Sequence, residues 1–311
     1  MLALGGFGCG NRPPAGPASL AASPSVAAPL DERSVAAALG VDRVETSGDG
    51  VVKASFPRKD VEVTVDGWRM PPFMGLTSWA AFTRGRSGVA EAMVMGDIVL
   101  FEDEVSSVLS ALLEGGVAVT ALHNHFFFDS PKVFFLHIGG EGTVASLATA
   151  VKAAMATVSE IRKRDPRPSS TFKAPALPET SSIDAARLEA TLGVKGTSKD
   201  GMFKMVVGRK ATTASCGCPI GKTMGVNTWA AFAGNDEIAV VDGDFAVSED
   251  ELQPVLKALR AGAVNVVAIH HHMTGETPRV LFVHYWGRGK AVELATTVRR
   301  ALDLTAFDKG S

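Results

Sequence analysis

The chain carries one pattern twice, the second copy 147 residues after the first. His123, His125 and His137 recur as His270, His272 and His284, each pair separated by that offset. Pro131 recurs as Pro278, Gly96-Asp97 as Gly243-Asp244, and Glu102-Asp103-Glu104 as Glu249-Asp250-Glu251. Further upstream, Met74-Gly75 with Trp79-Ala80-Ala81-Phe82 recurs as Met224-Gly225 with Trp229-Ala230-Ala231-Phe232, now at an offset of 150. Three residues were therefore gained or lost in between, in the loop holding Arg84-Gly85-Arg86-Ser87-Gly88. Leu39-Gly40-Val41 matches Leu192-Gly193-Val194 earlier still. Whatever topology one copy adopts, the other must adopt too, and each copy, at roughly 125–130 residues, is of ordinary domain size.

The repeat divides the chain. Residues 30–162 form a first repeat domain and residues 183–311 a second. Residues 163–182, dense in Pro, Ser and charge, read as the linker. Residues 1–29 are rich in Ala, Gly, Pro and Ser and hold one charge, Arg12, so they are expected to be disordered or derived from a signal or anchor. Within them, Gly6-Phe7-Gly8-Cys9 places small residues before a cysteine, as at the end of a lipoprotein signal.

Local pattern then sets the elements of each copy. In the second, β-rich stretches around 203–207, 227–232 and 238–242 precede Ser248, and Glu251 three positions on completes a capping-box signature. Leu252, Val255, Leu256 and Leu259 follow at helical spacing up to Gly262. Val264 to His272 is β-rich, Thr274-Gly275-Glu276-Thr277-Pro278 reads as a turn, and Val280 to Tyr285 is β-rich again. Val292, Leu294, Ala295, Val298 and Leu302 mark a last amphipathic helix. The order βαββα predicts an α+β fold of two homologous domains, each an antiparallel sheet with helices on one face, a ferredoxin-like variant.

That layout gives the histidine spacing its meaning. Residues two apart on a strand share a face, so His270 and His272 point together and His271 points away. A hairpin register pairing residues that sum to 554 would set His284 opposite His270. Three imidazoles would then converge, and His123, His125 and His137 would do likewise. Glu276 and Asp129 each lie four residues after the second histidine of their copy. Three imidazoles and a carboxylate suit a divalent transition metal (Zn, Fe, Mn or Cu) with an open coordination position. The metal ligands are thus expected to be His270, His272, His284, His123, His125, His137 and Asp129, with Glu276 as ligand or catalytic general base. A structural role for each histidine set, copied by simple duplication, is the alternative. His271 faces Asn124 in the alignment of the copies and is assigned no role.

Other features carry less. Gly139-Gly140-Glu141-Gly142 and Trp286-Gly287-Arg288-Gly289 read as tight strand-to-helix turns, with anion binding at the helix start as the alternative. Trp79 and Trp229 are expected to fill the core, and the acidic runs to favour the helix dipole. Phe126-Phe127-Phe128 replaces Met273-Thr274-Gly275 as an apolar tip placed to cover the site or touch the other repeat. Cys216 and Cys218 read as two thiols, with a tight disulfide or a soft-metal site as alternatives.

Charge and motif exclude several classes. A net charge of −2 and a pI near 6.4 give no field for nucleic acid or an anionic membrane. No apolar run of about 18 residues is present, so no membrane-spanning helix is expected, and membrane association would come only through lipidation at Cys9. Neither a nucleophile elbow, a Walker loop nor a Rossmann fingerprint occurs.

The segments Gly96-Asp97, Ala121-Leu122-His123-Asn124-His125, Pro131, Phe135-Leu136-His137 and their second-copy partners ending in His284-Tyr285-Trp286-Gly287 resemble the bacterial LppY/LpqO family of lipoproteins. The resemblance runs from about residue 30 to residue 302. It implies an exported or lipid-anchored protein of the cell envelope with two related halves, and it implies no catalytic residue. Three functions stay open at this level: a metal-dependent hydrolase or oxygen-dependent enzyme, a non-enzymatic envelope module binding a small-molecule or anionic ligand, and a metal-free acid/base enzyme.

Overall fold

The computed structural model describes residues 29–86, 88–213 and 216–308. The leader expectations, including lipidation at Cys9, lie outside these residues. In chain order the first repeat supplies α1 (Glu32–Leu39), β1 (Glu45–Thr46), β2 (Val52–Pro57), β3 (Thr77–Arg84), β4 (Ala92–Phe101), α2 (Glu102–Glu114), β5 (Ala118–His123), β6 (Val133–Gly142) and α3 (Val144–Arg164). The second supplies α4 (Ala185–Leu192), β7 (Gly196–Lys199), β8 (Met202–Gly208), β9 (Asn227–Gly234), β10 (Ala239–Val247), α5 (Glu249–Ala261), β11 (Asn265–His270), β12 (Leu281–Gly289) and α6 (Ala291–Leu302).

Alternating burial along β3 and β9 shows how the sheet is built: Ser78, Ala80 and Phe82 in one copy, and Thr228, Ala230 and Phe232 in the other, turn to a buried face. Adjacent strands run antiparallel, in the order β1-β2-β3-β4-β6-β5-β11-β12-β10-β9-β8-β7. Two separate sheets were expected, whereas the copies share one twelve-stranded sheet, joined where β5 meets β11 at Leu122 and Ile269. Each half-sheet would otherwise end in a row of unpaired N–H and C=O groups; the copies meet at that one ladder position, and Gln253 from the second copy bonds both backbone groups of Val119 on the same edge.

The helices lie on one face. A single apolar core, including Phe82, Leu109, Leu112 and Val151 from one repeat and Phe232, Leu256, Val298 and Tyr285 from the other, runs without a break under both. Among the described residues α3 is long and apolar enough to match a membrane span, but it is packed here against α1 and α2, with Leu147, Val151 and Ala154 in the core. At the start of α5 the expected capping box forms, Glu251 Oε2 accepting from Ser248 N–H at 2.9 Å. Phe101 replaces that serine in α2, yet Glu104 still accepts from Phe101 N–H at 2.9 Å. Glu104 is fully buried and is held by Arg58 at 2.7 and 2.9 Å; Arg209 pairs with Glu251 in the same way.

On the opposite face sit two small three-stranded sheets, Thr64–Val65, Trp68–Arg69 and Asp129–Ser130 in one copy, and Ala211–Thr213, Pro219–Ile220 and Glu276–Thr277 in the other. Each covers a minor core, centred on Val99, Val133 and Phe135 or on Val226, Val280 and Phe282.

Several local expectations change. Trp79 and Trp229 do not fill the core; they lie half-buried on this second face, where Lys53 and Lys204 place Nζ 4.6 and 4.2 Å from the ring centres. The glycines after the third histidines are strand residues of β6 and β12, not turns. A Cβ on Gly287 would meet Leu294 Cδ2 at 2.9 Å, so glycine there lets α6 approach the sheet. Cys216 and Cys218 are joined as a disulfide, not left as two thiols.

Candidate metal centre

Strand alternation carries the third histidines onto the face away from the helices. His137 follows Phe135 by two residues on β6, and His284 follows Phe282 on β12, so each imidazole continues the line of its minor core. The register differs from the one expected. Ala268, not His270, lies opposite His284, and His270 lies opposite Phe282, because the pairing sums to 552 beyond an irregularity between Val266 and Ala268. His270 and His284 are therefore diagonal neighbours, yet their rings stack with centroids 5.0 Å apart. His272, just past the end of β11, lies flat on Phe282 at 3.4 Å and brings its ring centre to 5.1 Å from that of His270.

One ligand atom from each of His270, His272 and His284 falls within 4.8 Å of the others. Their orientations leave metal-binding nitrogens available. His272 Nδ1 faces Gly225 O at 3.3 Å and His270 Nδ1 faces His271 O at 3.3 Å, so proton donation there leaves the Nε2 lone pairs unused. Burial first, then the neighbouring imidazoles, hold His272 below its ordinary pKa, although Asp244 opposes this. A neutral imidazole is the form that ligates.

The first copy repeats the ring packing, although only the second trio has one ligand atom from each histidine within 4.8 Å of the others. His123 and His137 stack with centroids 5.0 Å apart, His125 lies 3.4 Å over Phe135, and His123 and His125 approach Nε2 to Nε2 at 3.2 Å. Burial and the adjacent His137 and His125 lower the pKa of His123; burial also lowers that of His125. His123 Nδ1 is buried without a hydrogen-bond partner. Because β5 and β11 are neighbours, both trios occupy the same face of one sheet, on either side of the Leu122–Ile269 contact.

The acids beside the trios are not Asp129 and Glu276. Asp129 Oδ2 accepts from Val133 N–H at 2.6 Å and Glu276 Oε1 accepts from Val280 N–H at 3.0 Å, so both carboxylates are committed to bracing the hairpin loop. Glu276 is buried, its Oε2 has no partner, and it is not a member of the His270–His272–His284 group. The same loop is held from its other side by Asn124 Nδ2 on Val133 O at 2.7 Å and by His271 Nδ1 near Val280 O at 3.4 Å. His271 thus takes the place of Asn124 as a loop brace.

Asp97 and Asp244 stand beside the histidines instead. Asp97 is the cross-strand partner of His137, and Asp244 of His284. Asp97 Oδ2 lies 4.0 Å from His137 Nε2, and Asp244 Oδ2 lies 3.7 Å from His272 Nε2. Asp244 is 2% exposed, and its Oδ1, like that of Asp97, is buried without a partner. Burial raises the pKa of Asp244; His284, His272 and His270 act against that rise. The sequence did show the repeated Gly-Asp pair, but only strand pairing reveals what the aspartate faces. The glycine serves the same geometry: a Cβ on Gly243 would clash with the Tyr285 hydroxyl and would sit 2.5 Å from Trp229 O.

A face of three imidazoles with a buried, under-bonded carboxylate has the donor set of a divalent transition metal. Of the three phenylalanines beside the first trio, only Phe126 joins it, 6.0 Å from His125 and 5.8 Å from Phe135 between ring centres. Phe127 and Phe128 are 85% and 83% exposed and cover nothing.

The chain belongs to the family described as a Domain of Unknown Function (DUF1259), whose family model matches residues 33–157 and again residues 186–304, once per repeat. No curated protein matches the chain. Among solved structures it is similar to a double ringed trimeric shell protein from the RMM microcompartment, at 10% identity over 84% of this chain and 95% of that one, with a TM-score of 0.16. A likeness that slight carries no argument about fold or assembly.

Proposed function

We propose that this member of the DUF1259 family is a metal-binding protein of the bacterial cell envelope, holding a divalent transition ion on His270, His272 and His284 with Asp244 beside them. The observation that carries the reading is the gathering of three imidazole donors within 4.8 Å of one another, next to a buried carboxylate oxygen that has no partner. An ion there would give Asp244 Oδ1 the positive charge that its burial demands. His123, His125, His137 and Asp97 make a second site of the same kind. The ion is Zn, Fe, Mn or Cu by donor type, and Glu276 acts on it only through the loop it braces.

With three or four protein ligands, an ion would keep a position for water or substrate, which is the requirement for a hydrolase or an oxygen-dependent enzyme. The resemblance to LppY/LpqO lipoproteins supports export, and so does the Cys216–Cys218 disulfide, since such bonds persist in oxidising compartments. Each half reads as a ferredoxin-like variant in which β6 lies between β4 and β5, with β3 taking the outer place beside β4.

Elemental analysis and zinc calorimetry on protein first stripped with chelator test the reading. Wild type is expected to bind one or two equivalents. The double variant His270→Ala, His272→Ala should lose one, and His271→Ala should keep the wild-type count. Absence of stoichiometric metal from wild type, or an unchanged count in the double variant, would overturn it.

A further inference from the structure

The junction between the two repeats is symmetric in its strands but not in its side chains. On one side Gln253 of α5 reaches across to β5, where Oε1 accepts from Val119 N–H at 3.0 Å and Nε2 donates to Val119 O at 2.8 Å. The equivalent position on α2, 147 residues earlier, is Ser106, whose hydroxyl reaches only to Asn265 Oδ1 at 2.7 Å. The amide spans to the strand on its side, whereas the shorter serine lines a cavity of about 520 Å³ between α2, the start of β11, the end of β12 and linker residues 169–174. That volume lies within the range of small-molecule sites.

The walls of this cavity carry unbalanced polar groups. Arg260 is half-buried; it donates to Ser110 Oγ at 3.1 Å, Val264 O at 2.8 Å and Asn265 Oδ1 at 3.3 Å, all of them neutral acceptors. Burial lowers the pKa of its guanidinium, and no carboxylate offsets that effect. Arg288 also lines the cavity, donating to the backbone oxygen of Pro175. Asp103 lines the same cavity, as does Glu102; Asp103 Oδ2 takes Ser169 N–H at 2.9 Å and Arg162, while its Oδ1 is buried with no partner among the described residues. None of the three groups Arg260, Arg288 and Asn265 is an echo of the duplication, because Leu113, Glu141 and Ala118 stand at the matching positions.

A guanidinium with no ion-pair partner among the described residues calls for an anion, and its planar fork fits a carboxylate. An under-bonded carboxylate oxygen in the same lining calls for a donor. We propose that this cavity binds a small zwitterion of the amino-acid class, its carboxylate on Arg260 and Arg288 and its ammonium on Asp103, with Ser106 and Asn265 between them. The site is independent of the histidine face.

Calorimetry of the full chain with each of the twenty protein amino acids, and with acetate, phosphate and methylammonium as single-charge probes, tests the proposal. At least one amino acid should bind saturably and at least tenfold more tightly than any single-charge probe. Ser106→Gln, which puts the residue of the matching position into the cavity lining, and Arg260→Gln should each weaken that binding tenfold or more while leaving the zinc count unchanged. Circular dichroism checks the fold of both variants, and if Arg260→Gln is unfolded, Ser106→Gln decides alone. The proposal is overturned if no amino acid binds, if acetate or phosphate binds as tightly as the best amino acid, or if a folded Ser106→Gln binds undiminished.

Discussion

Replacing Asp244 with asparagine separates a metal-binding carboxylate from a structural one, because the two roles predict opposite signs. In metal-free protein the wild-type carboxylate is 2% exposed, lacks a partner on Oδ1 and lies 3.7 Å from the Nε2 of a histidine whose own protonation is disfavoured. Asparagine keeps the size and removes the charge. An under-satisfied buried polar group costs about 1–3 kcal/mol, and more when charged, so the stripped variant should gain about 1–2 kcal/mol. With metal present the sign reverses. Loss of an anionic group at the ion should weaken binding by about 10–100-fold, which removes about 1.4–2.7 kcal/mol of metal-conferred stability. Urea unfolding of stripped and zinc-saturated protein, read by far-ultraviolet circular dichroism, measures both quantities on one sample. The reasoning is refuted if Asp244→Asn destabilises the stripped protein, or if zinc stabilises variant and wild type equally.

Other outcomes follow from the same geometry. Gly243→Ala drives a methyl into the Tyr285 hydroxyl and to 2.5 Å from Trp229 O, and should destabilise by about 3 kcal/mol or more in urea unfolding; Gly139→Ala, whose new methyl would have no neighbour nearer than 3.9 Å, should change stability by about 1 kcal/mol or less. Burial works to raise the pKa of Glu251, but hydrogen bonds from Arg209 and from the Ser248 and Ala306 N–H groups outweigh it and hold the carboxyl below its ordinary 4.5. A depressed carboxylate contributes stability above its unfolded pKa and loses it as pH falls through the folded one. Wild type should therefore weaken from about pH 5 downward. Glu251→Gln should be less stable at neutral pH and flatter across that acid range, as measured by urea midpoints at stepped pH.

Much of the fold is visible in linear pattern. Alternation in Thr77–Arg84 and its copy marks strands, Ser248 with Glu251 marks a helix start, and the constant offset of 147 shows that both halves share one topology. These signals are local: each depends on residues within a turn or two, where backbone period and capping chemistry act without help from distant segments. The histidine trios are legible in part for the same reason, since alternation carries His137 beyond Phe135 and His284 beyond Phe282, whereas His125 and His272 lie just past the ends of their strands.

What no local pattern contains is which strand lies next to which. Asp97 meets His137 across 40 positions of sequence, and Asp244 meets His284 across the same number, so the Gly-Asp repeat was in view while its neighbour was not. Glu276 stands near the histidines in sequence, yet its carboxylate turns to Val280 N–H, because a buried hairpin amide needs a partner that the short loop can supply. The pairing sums to 551 at Val266 and to 552 from Ala268 onward, a one-residue shift at a strand irregularity that no spacing rule displays. By itself the sequence determined a duplicated α+β unit with two three-histidine faces. Tertiary structure decided that the copies would fuse at their histidine strands into one sheet, and that aspartates from neighbouring strands would complete the faces. The physical reason is that local periodicity sets which way a side chain points, whereas pairing between distant strands sets what it meets.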